Sequence, residues 1–272
     1  MRVVPIAAHN PGPWTGTGSW TYLLPGAGPT LVDAGSGEPR HLDDLAAALE
    51  ATTSSPDTLA QVLVTHAHPD HAGGAPPLAA RWPGASFAKR PWPDRDQRFA
   101  VAWQALADDQ LVVAGDVSLW VLHTPGHAPD HVCFFEPDSG ILFSGDLVIN
   151  GSTVVIPVDL GGSMSQYLAS LRRVLELGPR RIFPGHGAPI DNPAALLRGY
   201  IGHRLARERQ IIEALAAGAD AVGDIVARLY PSTERSLLGA AAENVRAHLV
   251  KLEEEGRARL EPAAGGDRWI LV

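Results

Sequence analysis

The chain has 272 residues, of which 45% are hydrophobic, and a formal net charge of −8 at pH 7. This is enough apolar material for one large domain or two. The chain has a single cysteine, Cys133, which excludes an internal disulfide. We expect Cys133 to be a buried strand residue. Because no apolar run approaches the ~20 residues of a membrane span and no signal-peptide pattern is visible, we expect a cytoplasmic protein that does not bind membranes.

Short apolar runs alternate with helical patterns through the first part of the chain. In chain order, the pattern predicts strands at 20–24 and 30–32, a helix at 41–50, a strand at 61–64, and helices at 75–81 and 163–175. Ser163 and Ser165 are both candidate N-caps for the last of these helices. Residues 91–110 give no clear pattern. The alternation by itself indicates an α/β fold.

A dense polar cluster follows the strand predicted at 61–64. His66, His68, Asp70 and His71 lie within six residues, where a buried strand meets a loop. Imidazole and carboxylate groups are ligands for zinc and similar metals. So many ligand side chains at one strand end would be electrostatically unfavourable without a cation, so the cluster indicates a metal site.

Further candidate ligands occupy the same kind of position later and earlier in the chain. Each follows a short apolar run and lies in or beside a turn that contains glycine, which lets the backbone bend sharply. These candidates are Asp33, His127, Asp146 and His186.

Taken together, these motifs resemble the metallo-β-lactamase superfamily in its hydrolase branch. The shared features are Asp33, the H-x-H-x-D-H motif from His66 to His71, and then His127, Asp146 and His186 in this order. The 10–13 loop and the 200–204 run also resemble the beta-lactamase-like protein 2 group, which includes metal-dependent endoribonucleases and many uncharacterised bacterial hydrolases. The resemblance implies an αββα sandwich.

The resemblance also implies a dinuclear metal site. It assigns one ion to His66, His68 and His127, the other to Asp70, His71 and His186, and a bridging position to Asp146. A hydroxide between the two ions would be the nucleophile, and Asp70 would orient it or protonate the leaving group. We expect two Zn²⁺ ions, and Fe or Mn would use similar ligands.

Other polar residues have less certain roles in the pattern. Asp33 is expected to fix the tautomer of a ligand histidine. His131 either supports the site or packs in the sandwich, and His203 and Arg204 either face the site or lie on a solvated helix face. His123 is expected to be a packing residue.

The character of the chain changes to helical after residue 193. Helices are predicted at 194–216, with arginines on one side, and at 222–229 and 240–254, followed by a β-hairpin around residues 263–267. This order resembles a winged helix, so we predict a catalytic domain at 1–197 and a smaller winged-helix-like domain at 198–272. Residues 198–272 carry equal numbers of basic and acidic side chains, and we expect this domain to serve the active site rather than recognise DNA.

Three functions are compatible with the sequence, which does not predict the oligomeric state. The first is a hydrolase of a small-molecule ester, thioester or lactone, and Trp14 and Trp20 would suit its apolar substrate. The second is an endoribonuclease that cleaves single-stranded RNA, using Arg198, Arg204, Arg207 and Arg209. The third, a non-enzymatic nucleic-acid-binding regulator, is disfavoured by the complete ligand set.

Overall fold

The computed structural model describes residues 1–53, 58–262 and 268–272. In this part of the chain, six strands form a first sheet in sequence order: β1 Val4–Ala7, β2 Trp20–Leu24, β3 Thr30–Val32, β4 Gln61–Leu63, β5 Ser86–Lys89 and β6 Trp103–Ala105. The pairs β1–β2 and β2–β3 are antiparallel, and the pairs from β3 to β6 are parallel.

A second sheet contains the next five strands, which are β7 Leu111–Ala114, β8 Val117–His123, β9 Val132–Glu136, β10 Ile141–Gly145 and β11 Arg181–Pro184. Their order in the sheet is β11-β10-β9-β8-β7, and only the β10–β11 pair is parallel. Cys133 lies in β9 and is buried, as predicted.

The two sheets pack face to face over an apolar core. Tyr22 of β2 lies against Phe143 of β10 and Phe183 of β11, with ring centroids 5.5 Å and 5.2 Å apart. Helices cover the outer faces: α1 Pro39–Thr52 and α3 Ala75–Arg81 pack on the first sheet, and α5 Met164–Leu177 packs on the second. Two shorter helices, α2 Pro69–Ala72 and α4 Pro93–Asp96, lie in the connections between strands. The αββα sandwich is therefore confirmed.

The predicted helices agree with these bounds to within a few residues. The helix predicted at 75–81 has those bounds, and α1 begins earlier than predicted because Pro39 suits the first turn. Ser163 is the N-cap of α5, since its hydroxyl accepts from the Gln166 N–H. The unassigned residues 91–110 contain α4 and β6.

The C-terminal part contains the predicted helices and two strands. They are α6 Pro193–Ala216, α7 Val222–Leu229, α8 Leu238–Glu254, β12 Ala258–Glu261 and β13 Arg268–Leu271. β12 and β13 pair antiparallel, while the predicted turn at 263–267 lies outside the described residues. Among the described helices, none combines the length and apolarity needed to cross a membrane.

Helix α6 contributes to two cores. Leu197 and Tyr200 pack into the core beneath the second sheet, whereas Ile211 and Leu215 pack with α7 and α8. The domain boundary predicted at 197/198 falls inside this helix and stays a prediction.

The arginines of α6 do not share one side, so that expectation was wrong. Arg198 and Arg209 are exposed, but Arg204 is only 1% exposed. The spacing explains the difference, because residues six positions apart in an α-helix lie on well-separated faces.

Glu208 joins α6 to α8 and to the turn before β12 through an ionic network. Its carboxylate lies 2.7 Å from Lys251 Nζ and 3.1 Å from Arg257 Nη1. The neighbouring His248 and Lys251 lower the pKa of Glu208 to about 2, from an ordinary value of 4.5. We expect Glu208→Gln to lower the free energy of unfolding by about 2 kcal/mol at neutral pH, because Lys251 and Arg257 then keep only the more exposed Glu255 as a carboxylate partner.

Denaturant unfolding at several pH values tests this prediction. A carboxylate with a lowered folded-state pKa stabilises the fold above its unfolded pKa. The difference in free energy of unfolding between wild type and Glu208→Gln should therefore have its full value above pH 4.5 and disappear as the pH falls through about 2. Glu255→Gln, which changes a more exposed partner of Lys251, is the control and should cost less than about 1 kcal/mol. Equal costs for the two variants would contradict the prediction.

Candidate metal centre

The predicted ligands converge at one edge of the sandwich, where strands of both sheets end. His66 and His68 follow β4, and Asp70 and His71 lie on α2, which begins at Pro69. The remaining ligands come from the second sheet: His127 from the β8–β9 loop, Asp146 from the end of β10, and His186 from the end of β11. Face-to-face packing of the sheets thus brings together residues that are up to 120 positions apart in the sequence.

Three imidazoles form the first group. His68 Nδ1 lies 3.0 Å from His66 Nε2 and 2.9 Å from His127 Nε2. His127 Nδ1 donates to the Val155 carbonyl at 2.7 Å, so its Nε2 presents a lone pair to the group in the neutral ring. These spacings suit donors that surround one ion at ~2 Å.

Two imidazoles and a carboxylate form the second group. His186 Nε2 lies 3.1 Å from Asp70 Oδ2, and His71 Nε2 lies 3.4 Å from the same oxygen. His71 Nδ1 donates to Asp33 Oδ2 at 2.8 Å, which leaves its Nε2 free for the group.

Asp146 lies between the two groups and contacts both. Its Oδ1 is 3.3 Å from His71 Nε2 and 3.4 Å from His186 Nε2, and its Oδ2 is 3.6 Å from His127 Nε2. One carboxylate oxygen therefore faces each group, as a bridging ligand requires.

The two groups differ in electrostatics. Burial lowers the pKa of His66 well below its ordinary value and lowers that of His68 to about 3. Both rings are therefore neutral and can offer a nitrogen lone pair to a metal ion. Burial acts in the same direction on His186, but Asp146 and Asp70 outweigh it and raise the pKa of His186 to about 10. The second group thus lies in a negative potential that favours a cation.

Unpaired buried atoms provide a test of whether these residues fit metal ions. Among the described residues, His71 Nε2 and Asp146 Oδ1 have no hydrogen-bond partner although both atoms are buried. Buried polar atoms are normally satisfied, and both of these point into the second group. The donor set of five imidazoles and two carboxylates fits two transition-metal ions.

Comparison with known proteins agrees with this geometry. Residues 14–186 match the family model of the metallo-beta-lactamase superfamily, and residues 222–269 match that of the beta-lactamase associated winged helix domain. The chain belongs to the metallo-beta-lactamase superfamily.

Relatives within the superfamily extend over nearly the whole chain. A Beta-lactamase-like protein 2 homolog from Drosophila melanogaster is 33% identical, covering 98% of this chain and 93% of its own length. An atrochrysone carboxyl ACP thioesterase from Aspergillus chevalieri is 32% identical, covering 100% and 87%. A metallo-beta-lactamase family protein from Thermus thermophilus shares the fold, with a TM-score of 0.80 at 22% identity over 100% of this chain and 98% of that chain.

Residues around the two groups hold the candidate ligand histidines in orientation. The Thr65 hydroxyl donates to Asp33 Oδ1 at 2.9 Å and, as an acceptor, lies 3.0 Å from His66 Nδ1. Asp33 thus orients His66 through Thr65 and contacts His71 directly. The expectation that it fixes a ligand tautomer is consistent with this position.

His131 supports Asp146 rather than joining either group. Its Nε2 accepts from the Asp146 backbone N–H at 3.1 Å, so its Nδ1 is the protonated atom and donates to Thr124 Oγ1 at 2.9 Å. His131 is fully buried, and burial lowers its pKa to about 3. A neutral ring with one fixed tautomer holds the backbone of Asp146.

Two glycines are required by close approach at the site. A Cβ at Gly185 would lie 2.6 Å from His71 Cε1 and 2.7 Å from Asp146 Oδ1. Gly145 has φ +45°, and a Cβ there would lie 2.8 Å from His131 Nε2. Gly185 therefore makes room for two candidate ligands, and Gly145 makes room for His131, which supports Asp146.

Sequence reasoning missed a buried ion pair that supports the His66–His68 loop. Asp130 Oδ2 accepts from the Ala67 N–H at 2.9 Å and lies 3.0 Å from Lys89 Nζ. Lys89 is 1% exposed. The position of Asp130 directly before His131 was an available signal, but nothing local in the sequence marks Lys89.

The remaining candidates lie away from the ligands. His203 is exposed, and Arg204 donates to the Val154 carbonyl, so neither side chain belongs to either ligand group. His123 Nε2 lies 3.0 Å from the Pro129 carbonyl, as suits a packing residue. Trp14 is 73% exposed, while Trp20 begins β2 and packs partly against the core between the sheets.

Proposed function

We propose that the protein is a dinuclear metal-dependent hydrolase that acts on a small-molecule thioester, ester or lactone, with thioesters preferred. The position of Asp146 carries this proposal, because one carboxylate oxygen faces each of the two ligand groups. The preference for thioesters draws on the relatives named as thioesterases.

The ligand residues would share the chemical work in this proposal. When bound, two metal ions would polarise the substrate carbonyl and activate water at neutral pH. Asp70 is the more exposed of the two carboxylates, with 22% of its side chain accessible against 11% for Asp146. This supports our proposal that Asp70 passes a proton to the leaving thiolate or alkoxide.

We propose zinc as the metal, because five imidazoles and two carboxylates suit a borderline ion. Iron and manganese use the same ligand types, so elemental analysis must decide. A cytoplasmic location is part of the same proposal.

An endoribonuclease acting on single-stranded RNA is the second candidate. The basic residues His203, Arg204 and Arg207 on α6 favour it, because phosphate backbones bind to such residues. Against it, Arg204 is buried and the chain carries a net charge of −8.

A nucleic-acid-binding regulator has the weakest support. The helix that would enter a DNA groove is α8, and it buries Asn244, Ala247 and His248. Asn244 Oδ1 accepts from the Ile156 N–H of the catalytic domain at 3.1 Å. This face of α8 is therefore occupied within the protein.

A hydrolysis panel tests the proposal. Metal-loaded protein is assayed with acyl thioesters, aryl esters, lactones, phosphodiesters and labelled single-stranded RNA, beside Asp146→Ala purified in the same way. We expect thioesters to be cleaved fastest, with activity that depends on Asp146. RNA cleavage that depends on Asp146, without hydrolysis of any carbonyl substrate, would replace the proposal with the second candidate.

A further inference from the structure

A cavity of about 320 Å³ lies between the two domains. Its walls come from the 10–18 loop, the 149–155 segment, α6, and the 230–244 part of the C-terminal domain. We call it the α6 cavity. Its lining includes apolar residues such as Trp14 and Leu237 and the hydroxyl-bearing residues Thr153 and Ser236.

Arg204 lines the α6 cavity and is an unusual buried cation. It is 1% exposed, its Nη2 donates to the Val154 carbonyl, and its guanidinium lies 5.3 Å from the Tyr167 ring centroid. Among residues 1–53, 58–262 and 268–272, no carboxylate oxygen lies within 4.0 Å of this guanidinium, and its Nε has no hydrogen-bond partner. A buried charge without a counter-charge is costly, so Arg204 is poised for an anion that enters the cavity.

A second guanidinium lies one turn further along α6. Arg207 packs 4.3 Å from the Tyr230 ring centroid, and its Nη1 donates to Gln210 Oε1 at 2.9 Å. Within the described part of the chain, its buried Nε also lacks a partner. Partial burial and the two nearby guanidinium groups lower the pKa of His203, which lines the same wall. The wall is thus positively charged.

We infer that the α6 cavity is a subsite for an anionic group of the substrate, a carboxylate or a phosphate, held by Arg207 and Arg204. Guanidinium groups bind both oxyanions through paired N–H donors. The hydroxyls of Thr153 and Ser236 supply further donors, and the apolar wall suits a carbon chain attached to the anion.

The α6 cavity and the candidate metal centre both contact one short segment of the chain, residues 154–155. Val155 lines the cavity, and its carbonyl accepts from His127 Nδ1 at 2.7 Å. Arg204 donates to the adjacent Val154 carbonyl. A substrate whose anion reaches Arg207 would therefore extend along a segment that orients a metal ligand. The inference rests on the proposed thioester hydrolase, since it places the substrate's reactive carbonyl at that centre.

Two sources of the anion fit this chemistry, and two experimental arms separate them. A phosphate would come from the phosphopantetheine group on the thiol side of the thioester, and a carboxylate would come from the acyl chain.

The first experimental arm titrates full-length, metal-loaded protein calorimetrically with 4′-phosphopantetheine and with pantetheine. The second compares KM for succinyl- and butyryl-N-acetylcysteamine thioesters, which differ in one terminal carboxylate.

Arg207→Gln is the test variant and Arg198→Gln, an exposed arginine on the same helix, is the matched control. In at least one arm, we expect the Kd or KM of the anionic compound to be about tenfold or more lower than that of the neutral compound, both in wild type and in the control. Arg207→Gln should lose that preference, while its Kd or KM for the neutral compound stays unchanged. Arg204→Met, checked for folding by its thermal transition, should reduce the same preference.

The arms also separate the inference from the proposed function. Arg207-dependent binding of 4′-phosphopantetheine without hydrolysis of any thioester would retain the subsite and reject the thioester hydrolase. Equal responses to the anionic and neutral compounds in both arms would overturn the subsite. Arg207-dependent binding of single-stranded RNA, with no response in either arm, would also overturn it, in favour of a phosphate backbone as the ligand.

Discussion

Asp146→Ala is expected to abolish metal-dependent hydrolysis. Its carboxylate is the group that contacts both ligand groups, at 3.3 Å from His71 Nε2 and 3.6 Å from His127 Nε2. Removing it would take away a negative charge that balances the two ions. It would also allow the distance between the ions to change. We expect kcat/KM to fall by more than the ~10²–10³-fold typical of removing one electrostatic group from an active site.

Matched variants distinguish the bridge from general damage. Asp146→Asn keeps the shape but removes the charge, so it should be nearly as inactive as Asp146→Ala. His68→Ala should also be inactive, because it removes the imidazole that lies nearest to both His66 and His127. His123→Ala, which loses a contact with Pro129, should remain close to wild type. Activity of Asp146→Ala within tenfold of wild type would show that the bridging assignment is wrong.

Removal of metal is expected to eliminate activity and to lower the thermal stability. Without cations, Asp70 and Asp146 share a buried site, and Asp146 Oδ1 has no hydrogen-bond partner among the described residues. Ligand binding at 100 times Kd adds about 2.7 kcal/mol of stability, which corresponds to a rise in Tm of at least about 5 °C for a chain of this size.

Elemental analysis and reconstitution measure this effect. Gently purified protein should contain two transition-metal ions per chain, and chelator-treated protein should regain both activity and Tm after two equivalents are added. Asp146→Ala should show a smaller rise in Tm under the same treatment. Full activity in protein with only trace metal would contradict the prediction.

The site was predictable from sequence because its ligands are encoded locally. Each candidate follows a short apolar run, so the position of a strand end could be read beside His66, Asp146 and His186 without knowing how the strands pair. The seven residues do lie together in the structure. Their individual roles remain predictions, because only metal-loaded protein can show which atoms bind.

Other parts of the site depend on contacts that no local pattern encodes. Lys89 ends a strand and contacts two carboxylates, Asp96 nearby in the sequence and Asp130, which is 41 positions away. Arg204 was expected to face the site or to lie on a solvated helix face, and its burial at 1% exposure excludes the solvated face. Its burial results from packing against Tyr167 of α5, which periodicity within α6 could not reveal.

Helix α6 has a thermodynamic consequence for the whole chain. Its first turns complete the core under the second sheet, and its last turns complete the core of the C-terminal helices. Neither core can lose this helix without exposing apolar surface, so the two parts should unfold in one cooperative transition. The two family matches, at 14–186 and 222–269, are then separate sequence families that fold as one cooperative unit together with the helix between them.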